Sequence, residues 1–236
     1  VQSEAVGGSE GTSFIRIRSF DSRMRIGGQM MKVLVVTGGI GSGKSAVCRI
    51  LHEAGVTAQY NADEKVKALY SAHPTLLNDI ETSLGCVLRN EEGEFMPARL
   101  AARIFPDPQA LQTVESMVFP ALIEDFEAFA EAHDEEDIIV FESATILEKP
   151  QFDGFGDVVV LVDAPYEVRL ERACARDGAD PVAVEARMKN QKLMNMLSEG
   201  GHDHRIDAVI MNDSDMDELK NRTMETMTVL FGDWKR

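Results

Sequence analysis

A run of eight residues near the start of the chain has the types and spacing of a phosphate-binding loop. The run is Gly38-Gly39-Ile40-Gly41-Ser42-Gly43-Lys44-Ser45, which satisfies the pattern GxxxxGK[ST] in full. Glycines let the backbone bring several N–H groups around a polyphosphate. In such loops the lysine reaches the β and γ phosphates, and the serine hydroxyl binds Mg²⁺. The motif predicts a nucleotide site with Mg²⁺, and the alternative is a glycine-rich turn that binds nothing.

Two carboxylates stand where predicted strands end, which is the edge at which ligands collect in open α/β sheets. Asp63 follows a short strand predicted at 56–60 and opens a helix. This position fits a catalytic base, and it equally fits a helix N-cap, which Asp favours. Glu142 ends the apolar run 138–141, a pattern typical of a buried parallel strand. Because Mg²⁺ prefers a few carboxylates with phosphate oxygens, Glu142 is predicted to share the metal with Ser45; a strand-end acid without a metal is the alternative.

Arginines in the C-terminal half supply the cations that phosphoryl transfer requires. Arg172 and Arg176 are four residues apart and share one face of a predicted helix. They either neutralise the transferred phosphoryl group or form a salt-bridged face with neighbouring glutamates. Arg187 lies in a polar helical stretch, and we predict that this stretch belongs to a lid at about 177–204 that closes over the nucleotide.

The elements around these residues alternate as expected for an α/β protein. Apolar runs predict strands at 33–37, 56–60, 138–141 and 158–162. Helical spacing predicts helices at 44–54, from 63 onwards, after Pro165 and at 215–231. The core is therefore predicted at 31–70 and 137–236. Residues 71–136 interrupt the alternation and are mostly helical, and Pro120 predicts a break or a kink within them.

The sequence TGGIGSGKS, followed after one helix by Asn61-Ala62-Asp63, resembles the dephospho-coenzyme A kinases. The resemblance implies a P-loop NTPase fold with a five-stranded parallel sheet, a helical substrate-binding region at 71–136 and a helical lid. It implies ATP as the donor and the ribose 3′-hydroxyl of dephospho-coenzyme A as the acceptor, the last step of coenzyme A synthesis. In this family the second acid of the D-x-D-like element is the proposed base, and it matches Asp63.

Further family motifs recur along the chain, with some departures. Arg172 and Arg176 match an R-x-x-x-R-D motif, whereas the family's signature arginine and histidine in the substrate region are Pro97 and Phe119 here. We hypothesise that Arg99 or Arg103 supplies the missing cation; the alternative is that both are solvated surface residues.

Composition limits the partners and the compartment. A formal net charge of −16 argues against binding to nucleic acid or an anionic membrane, which would need a broad basic patch. The chain lacks an apolar run long enough to span a bilayer, and its three cysteines form no CxxC motif. We therefore expect a cytoplasmic protein, a monomer or small homo-oligomer. Residues 1–30 are predicted to be a disordered leader or a start-site artefact, because Met30 and Met31 immediately precede the first strand.

Two other functions fit parts of the sequence. Another P-loop kinase, acting on a nucleoside monophosphate or a small metabolite, would share the phosphate loop and the lid. A non-catalytic nucleotide-binding module would need only the loop. A GTPase switch is disfavoured because the chain lacks an N/T-K-x-D guanine motif.

Overall fold

The computed structural model describes residues 31–73 and 75–234. The predicted leader at 1–30 lies outside these residues. The strands are β1 (Lys32–Gly38), β2 (Gln59–Asn61), β3 (Ile138–Glu142), β4 (Val158–Asp163) and β5 (Ala208–Met211). They form one sheet in the order β2-β3-β1-β4-β5, and every neighbouring pair is parallel. The prediction of a five-stranded parallel α/β sheet is confirmed.

Helices cover both faces of the sheet. They are α1 (Lys44–Glu53), α2 (Ala62–Ala72), α3 (Leu76–Leu84), α4 (Pro97–Ile104), α5 (Pro108–Glu131), α6 (Tyr166–Asp177), α7 (Pro181–Lys189), α8 (Lys192–Ser198) and α9 (Met216–Phe231). Two 3₁₀ turns, Ile146–Glu148 and Pro150–Phe152, follow β3. None of the helices in the described part of the chain is long and apolar enough to cross a membrane.

Alternation along β1 divides the hydrophobic core into two layers. Leu34 and Val36 point to the layer built with α1 and α9. Val33 and Val35 point to the layer built with α2, α3, α4 and α5. Burial on both faces is what a parallel sheet requires, and it explains why β1 is apolar at successive positions. The helices of 71–136 therefore share a core with the sheet.

Helix α5 continues through Pro120, where the sequence predicted a break or a kink. The helix is 24 residues long, with Pro120 inside it. A proline removes one helical N–H and crowds the preceding turn. Val118, Ala121 and Leu122 on either side of it are buried in the core. We infer that this packing outweighs the local cost and keeps the helix from ending there.

Two other elements differ in extent from their predictions. Strand β2 begins at Gln59 rather than at residue 56, because the N–H of Val56 still bonds to the carbonyl of Leu51 at the end of α1. The polar helical stretch that contains Arg187 is followed by a second helix, so that α7 and α8 are separate helices with Gln191 between them. Leu193 and Met194 of α8 are buried against the sheet, so apolar contacts hold this end of the predicted lid.

Candidate active site

The glycine-rich loop joins the end of β1 to the start of α1 and packs tightly against its neighbours. Gly41 and Gly43 have φ angles of 75° and 100°. A Cβ atom on Gly41 would lie 2.1 Å from the carbonyl oxygen of Arg169, and one on Gly43 would lie 2.1 Å from Nδ2 of Asn212. Both the backbone conformation and the lack of space therefore require glycine.

Some of the predicted backbone ligands of phosphate are engaged within the protein. The N–H of Ile40 donates to Oε1 of Gln191 at 2.9 Å, and the N–H of Ser42 donates to the carbonyl of Gly39 at 3.1 Å. The N–H groups of Gly41 and Gly43 and of the first residues of α1 remain as the candidate donors to an anion, with the positive end of the helix behind them.

Lys44 lies at the start of α1 with its ammonium group over the loop. Nζ donates to the carbonyl oxygens of Gly38 at 2.9 Å and Gly39 at 3.3 Å. Burial lowers the pKa of Lys44, while the carboxylates of Asp63 and Glu142 act in the opposite direction. The three side chains are therefore close enough to interact electrostatically, as a phosphoryl-transfer site requires.

Ser45 and Glu142 are brought together as predicted for a metal site. Oγ of Ser45 donates to Oε1 of Glu142 at 2.8 Å. Asn61, at the end of the neighbouring strand, donates to Oε2 of Glu142 at 3.4 Å. A hydroxyl and a carboxylate are hard oxygen ligands, which suit Mg²⁺ when phosphate oxygens complete its shell. A cavity of about 360 Å³ adjoins this group.

The structure rules out one of the two interpretations of Asp63, that of a helix N-cap. The N-cap of α2 is Asn61, whose side chain accepts the N–H of Glu64 at 3.1 Å. Asp63 lies in the first turn with an exposed side chain, and its Oδ2 accepts a long hydrogen bond of 3.3 Å from the N–H of Ala144. Since Asn61 performs the capping, the carboxylate of Asp63 is available to accept a proton from a substrate.

The predicted arginines occupy different places around the loop. Arg172 donates to the carbonyl oxygen of Asn212 at 3.0 Å, and Nδ2 of Asn212 donates in turn to the carbonyl of Ser42 at 2.9 Å. Arg176 and Arg187 both pair with Asp177, at 2.7 Å and 2.6 Å. These two cations hold the pKa of the Asp177 carboxyl well below its usual range.

Arg176 is also near enough to lower the pKa of Lys44. Arg172 is linked to the loop through Asn212, whereas the side chains of Arg176 and Arg187 are 62% and 48% exposed.

Arg169 is a site residue to which the sequence analysis gave no role. Its side chain is 8% exposed and lies 3.6 Å from Asp163. Nε and Nη1 have no hydrogen-bond partner within the part of the chain that the structure describes, and Nη1 would be 2.2 Å from a Cβ on Gly39. One signal in the sequence points to it, since Arg169 and the buried Ala173 are four apart and share a helix face.

A small cavity lies beside Asp63, and no residue of the phosphate loop lines it. Its volume is about 50 Å³, and the residues that line it are Ala62, Asp63, Val66, Phe119, Leu122, Phe141, Ser143, Thr145, Ile146, Lys149 and Phe152. Phe119, which stands in place of the family's signature histidine, packs edge to face on Phe152 at 5.1 Å. Arg99 and Arg103 do not line this cavity. Arg99 donates to the carbonyl of Arg89, and Arg103 pairs with Asp107.

Comparisons with known proteins agree on one family. A model of the dephospho-CoA kinase family matches residues 32–218. The dephospho-CoA kinase of Porphyromonas gingivalis is 36% identical over 176 residues, which are 75% of this chain and 85% of that protein. The dephospho-CoA kinase of Salinibacter ruber is 30% identical over 203 residues, which are 86% and 99% of the two chains.

Solved structures share the fold. TT1252 from Thermus thermophilus superposes with a TM-score of 0.72 at 23% identity and covers 85% of this chain and 98% of its own. A dephospho-CoA kinase from Campylobacter jejuni gives a TM-score of 0.51 at 19% identity, with 85% and 97% covered. From the match of the family model and the identity to full-length relatives, the chain belongs to the dephospho-CoA kinase family.

Proposed function

We propose that the chain transfers the γ-phosphoryl group of ATP to the ribose 3′-hydroxyl of dephospho-coenzyme A, giving coenzyme A and ADP in the final step of coenzyme A synthesis. The observation that carries the proposal is the position of Asp63. It is exposed and relieved of capping by Asn61, and its negative charge opposes the lowering of the pKa of Lys44 by burial. The proposed base and the phosphate-binding lysine thus interact electrostatically at one edge of the sheet.

On the donor side, the loop and its lysine would hold the phosphates of ATP. The N–H groups of Gly41 and Gly43 and the ammonium group of Lys44 are the candidate ligands. Ser45 and Glu142 would hold Mg²⁺, which supplies positive charge to the phosphate oxygens when bound. In the structure Lys44 bonds to two loop carbonyls, so it must exchange these bonds for phosphate oxygens when nucleotide binds.

On the acceptor side, Asp63 would accept the proton of the attacking hydroxyl. Phosphoryl transfer needs little covalent chemistry from the protein, so positioning and charge neutralisation supply most of the rate enhancement. Arg172 and Arg176 would neutralise charge on the transferred group, and Arg187 would join them when the lid closes. Arg176 and Arg187 are paired with Asp177 in the structure, which keeps both cations at the border of the site.

The region 71–136 is proposed to bind the acceptor, because its helix α5 contributes Phe119 and Leu122 to the cavity beside Asp63. We also propose a cytoplasmic location. Cys48, Cys86 and Cys174 are free thiols, as is usual in a reducing compartment.

The test is ADP release with dephospho-coenzyme A, beside a panel of nucleoside monophosphates, gluconate, shikimate and pantothenate. We expect stimulation by dephospho-coenzyme A alone and a product heavier by one phosphate. Lys44→Ala should lose both ATP affinity and turnover and serves as the control for contaminating kinases. A wild-type protein that dephospho-coenzyme A does not stimulate would overturn the proposal.

A further inference from the structure

A lysine from the segment after β3 lies in the cavity beside Asp63. Lys149 follows the 3₁₀ turn at Ile146–Glu148 and lines that cavity together with Asp63, Phe119 and Phe152. Among residues 31–73 and 75–234 it is the only cationic side chain that lines it. Its side chain is 24% exposed, so the charge is partly withdrawn from water and near the proposed base.

Among the residues that the structure describes, Lys149 has a single anionic partner, which lies across the cavity wall. Nζ lies 2.5 Å from Oε1 of Glu115 on α5, whose side chain is 17% exposed. Glu115 also acts on Tyr70, whose pKa is raised to about 12 chiefly by burial. The ion pair joins α5, which carries Phe119, to the segment after β3, which carries Phe152. These two elements form walls of the cavity. One carboxylate leaves other N–H bonds of the ammonium group available.

The proposed acceptor carries an anionic group, its pyrophosphate, close to the hydroxyl that is phosphorylated. In dephospho-coenzyme A only the ribose ring separates the 3′-hydroxyl from the pyrophosphate. If the hydroxyl lies at Asp63, the pyrophosphate lies near the walls of the same cavity. The two arginines that the sequence suggested for this task have other partners, since Arg103 pairs with Asp107 and Arg99 with a backbone carbonyl.

We propose that Lys149 binds the pyrophosphate of dephospho-coenzyme A and makes the enzyme selective for acceptors that carry this group. The inference rests on the proposed function. Glu115 is the ion-pair partner of the ammonium group in the structure, and the pyrophosphate would take its place when the acceptor binds. The ammonium group of Lys149 interacts more strongly with a phosphate oxygen than with water. A charge-assisted hydrogen bond in a partly buried site contributes substantially to affinity.

The experiment measures the KM values for dephospho-coenzyme A and for ATP in the wild type and in Lys149→Ala, Lys149→Gln and Lys149→Arg. For the Ala and Gln variants we expect the KM of the acceptor to rise roughly tenfold to a hundredfold. The KM of ATP should stay within about twofold, since no residue of the phosphate loop lines the cavity that Lys149 lines. Lys149→Arg keeps the charge and should recover most of the acceptor affinity.

Glu115→Gln is the matched control, because it breaks the same ion pair and leaves the lysine charge in place. It should not raise the KM of the acceptor, whereas a merely structural ion pair would make it behave like Lys149→Gln. Equal acceptor KM values in wild type and Lys149→Gln would overturn the inference. An increase of the acceptor KM in Glu115→Gln as large as that in Lys149→Gln would also overturn it. Lys149→Gln retains most of the aliphatic part of the side chain. It therefore provides the acceptor KM without the lysine charge if the alanine variant fails to fold. A wild type inactive with dephospho-coenzyme A refutes the proposed function instead.

Discussion

Replacing Asp63 by asparagine tests the proposed base with little disturbance of the fold. The change keeps the shape of the side chain and removes its ability to take a proton. A positioned general base contributes about 10²-fold to 10⁴-fold to the rate. We therefore expect kcat to fall by that factor, which corresponds to roughly 3 to 5 kcal/mol of activation free energy.

The same substitution should leave stability and nucleotide affinity nearly unchanged. The bond from the N–H of Ala144 to Asp63 is long, at 3.3 Å, and the cap of α2 is Asn61. Loss of such a bond on an exposed side chain costs at most about 1 kcal/mol of unfolding free energy. ATP affinity should stay equal or increase slightly, because a carboxylate is removed from the vicinity of the phosphates.

Glu64→Gln provides the matched comparison for Asp63→Asn. Both residues are exposed and lie in the first turn of α2, so both changes remove one negative charge near the same helix N-terminus. Steady-state kinetics with dephospho-coenzyme A, together with ATP titrations, should show a large loss of kcat only for Asp63→Asn. A kcat within tenfold of the wild type in Asp63→Asn, or an equal loss in Glu64→Gln, would refute the assignment of the base.

Three further predictions concern the metal, the buried arginine and acid stability. Glu142→Gln should raise the Mg²⁺ concentration needed for half-maximal rate at fixed ATP, since its carboxylate bonds to Ser45; an unchanged Mg²⁺ titration would contradict the metal assignment. Arg169→Met removes a buried charge that has unsatisfied N–H groups beside the loop. Titration calorimetry should find ATP binding that is weaker on the order of tenfold. The melting temperature should be no lower than that of the wild type. Chiefly through hydrogen bonds from Arg205, the pKa of Asp203 is lowered from 3.8 to about 2, so this pair stabilises the fold above pH 3.8 and ceases to do so as the pH falls towards 2. Denaturant titrations should show a larger loss of stability over that range for the wild type than for Arg205→Met; parallel losses would contradict the ion pair's role.

Much of the sheet and the phosphate loop could be predicted because their signals are local. The loop is specified by eight consecutive residues, and the buried strands β1 and β3 by apolar runs. Their chain order, with α1 directly after β1, then determines which side chains meet at one edge. Glu142 and Ser45, 97 positions apart, lie within hydrogen-bond distance for this reason.

The remaining features depend on packing between distant segments. Arg169 is buried because α6 packs against the loop, and Lys149 pairs with Glu115 because α5 packs along the segment after β3. Apart from the four-residue spacing of Arg169 and Ala173, no local pattern encodes these contacts. The continuity of α5 through Pro120 likewise depends on the tertiary core, which outweighs the local cost that the sequence alone reveals.

The close approach of Gly41 to the backbone of Arg169 has a consequence for how the enzyme moves. With no room for even a methyl group between them, the loop and the start of α6 should travel as one body. The hinge of the lid is then expected beyond this contact, at Gly178, which caps α6 with a φ of 58° and has open space around its Cα. In that case Arg172 and Arg176 keep a fixed distance from the bound phosphates throughout the catalytic cycle. Of the three arginines, only Arg187 moves when the lid opens and closes.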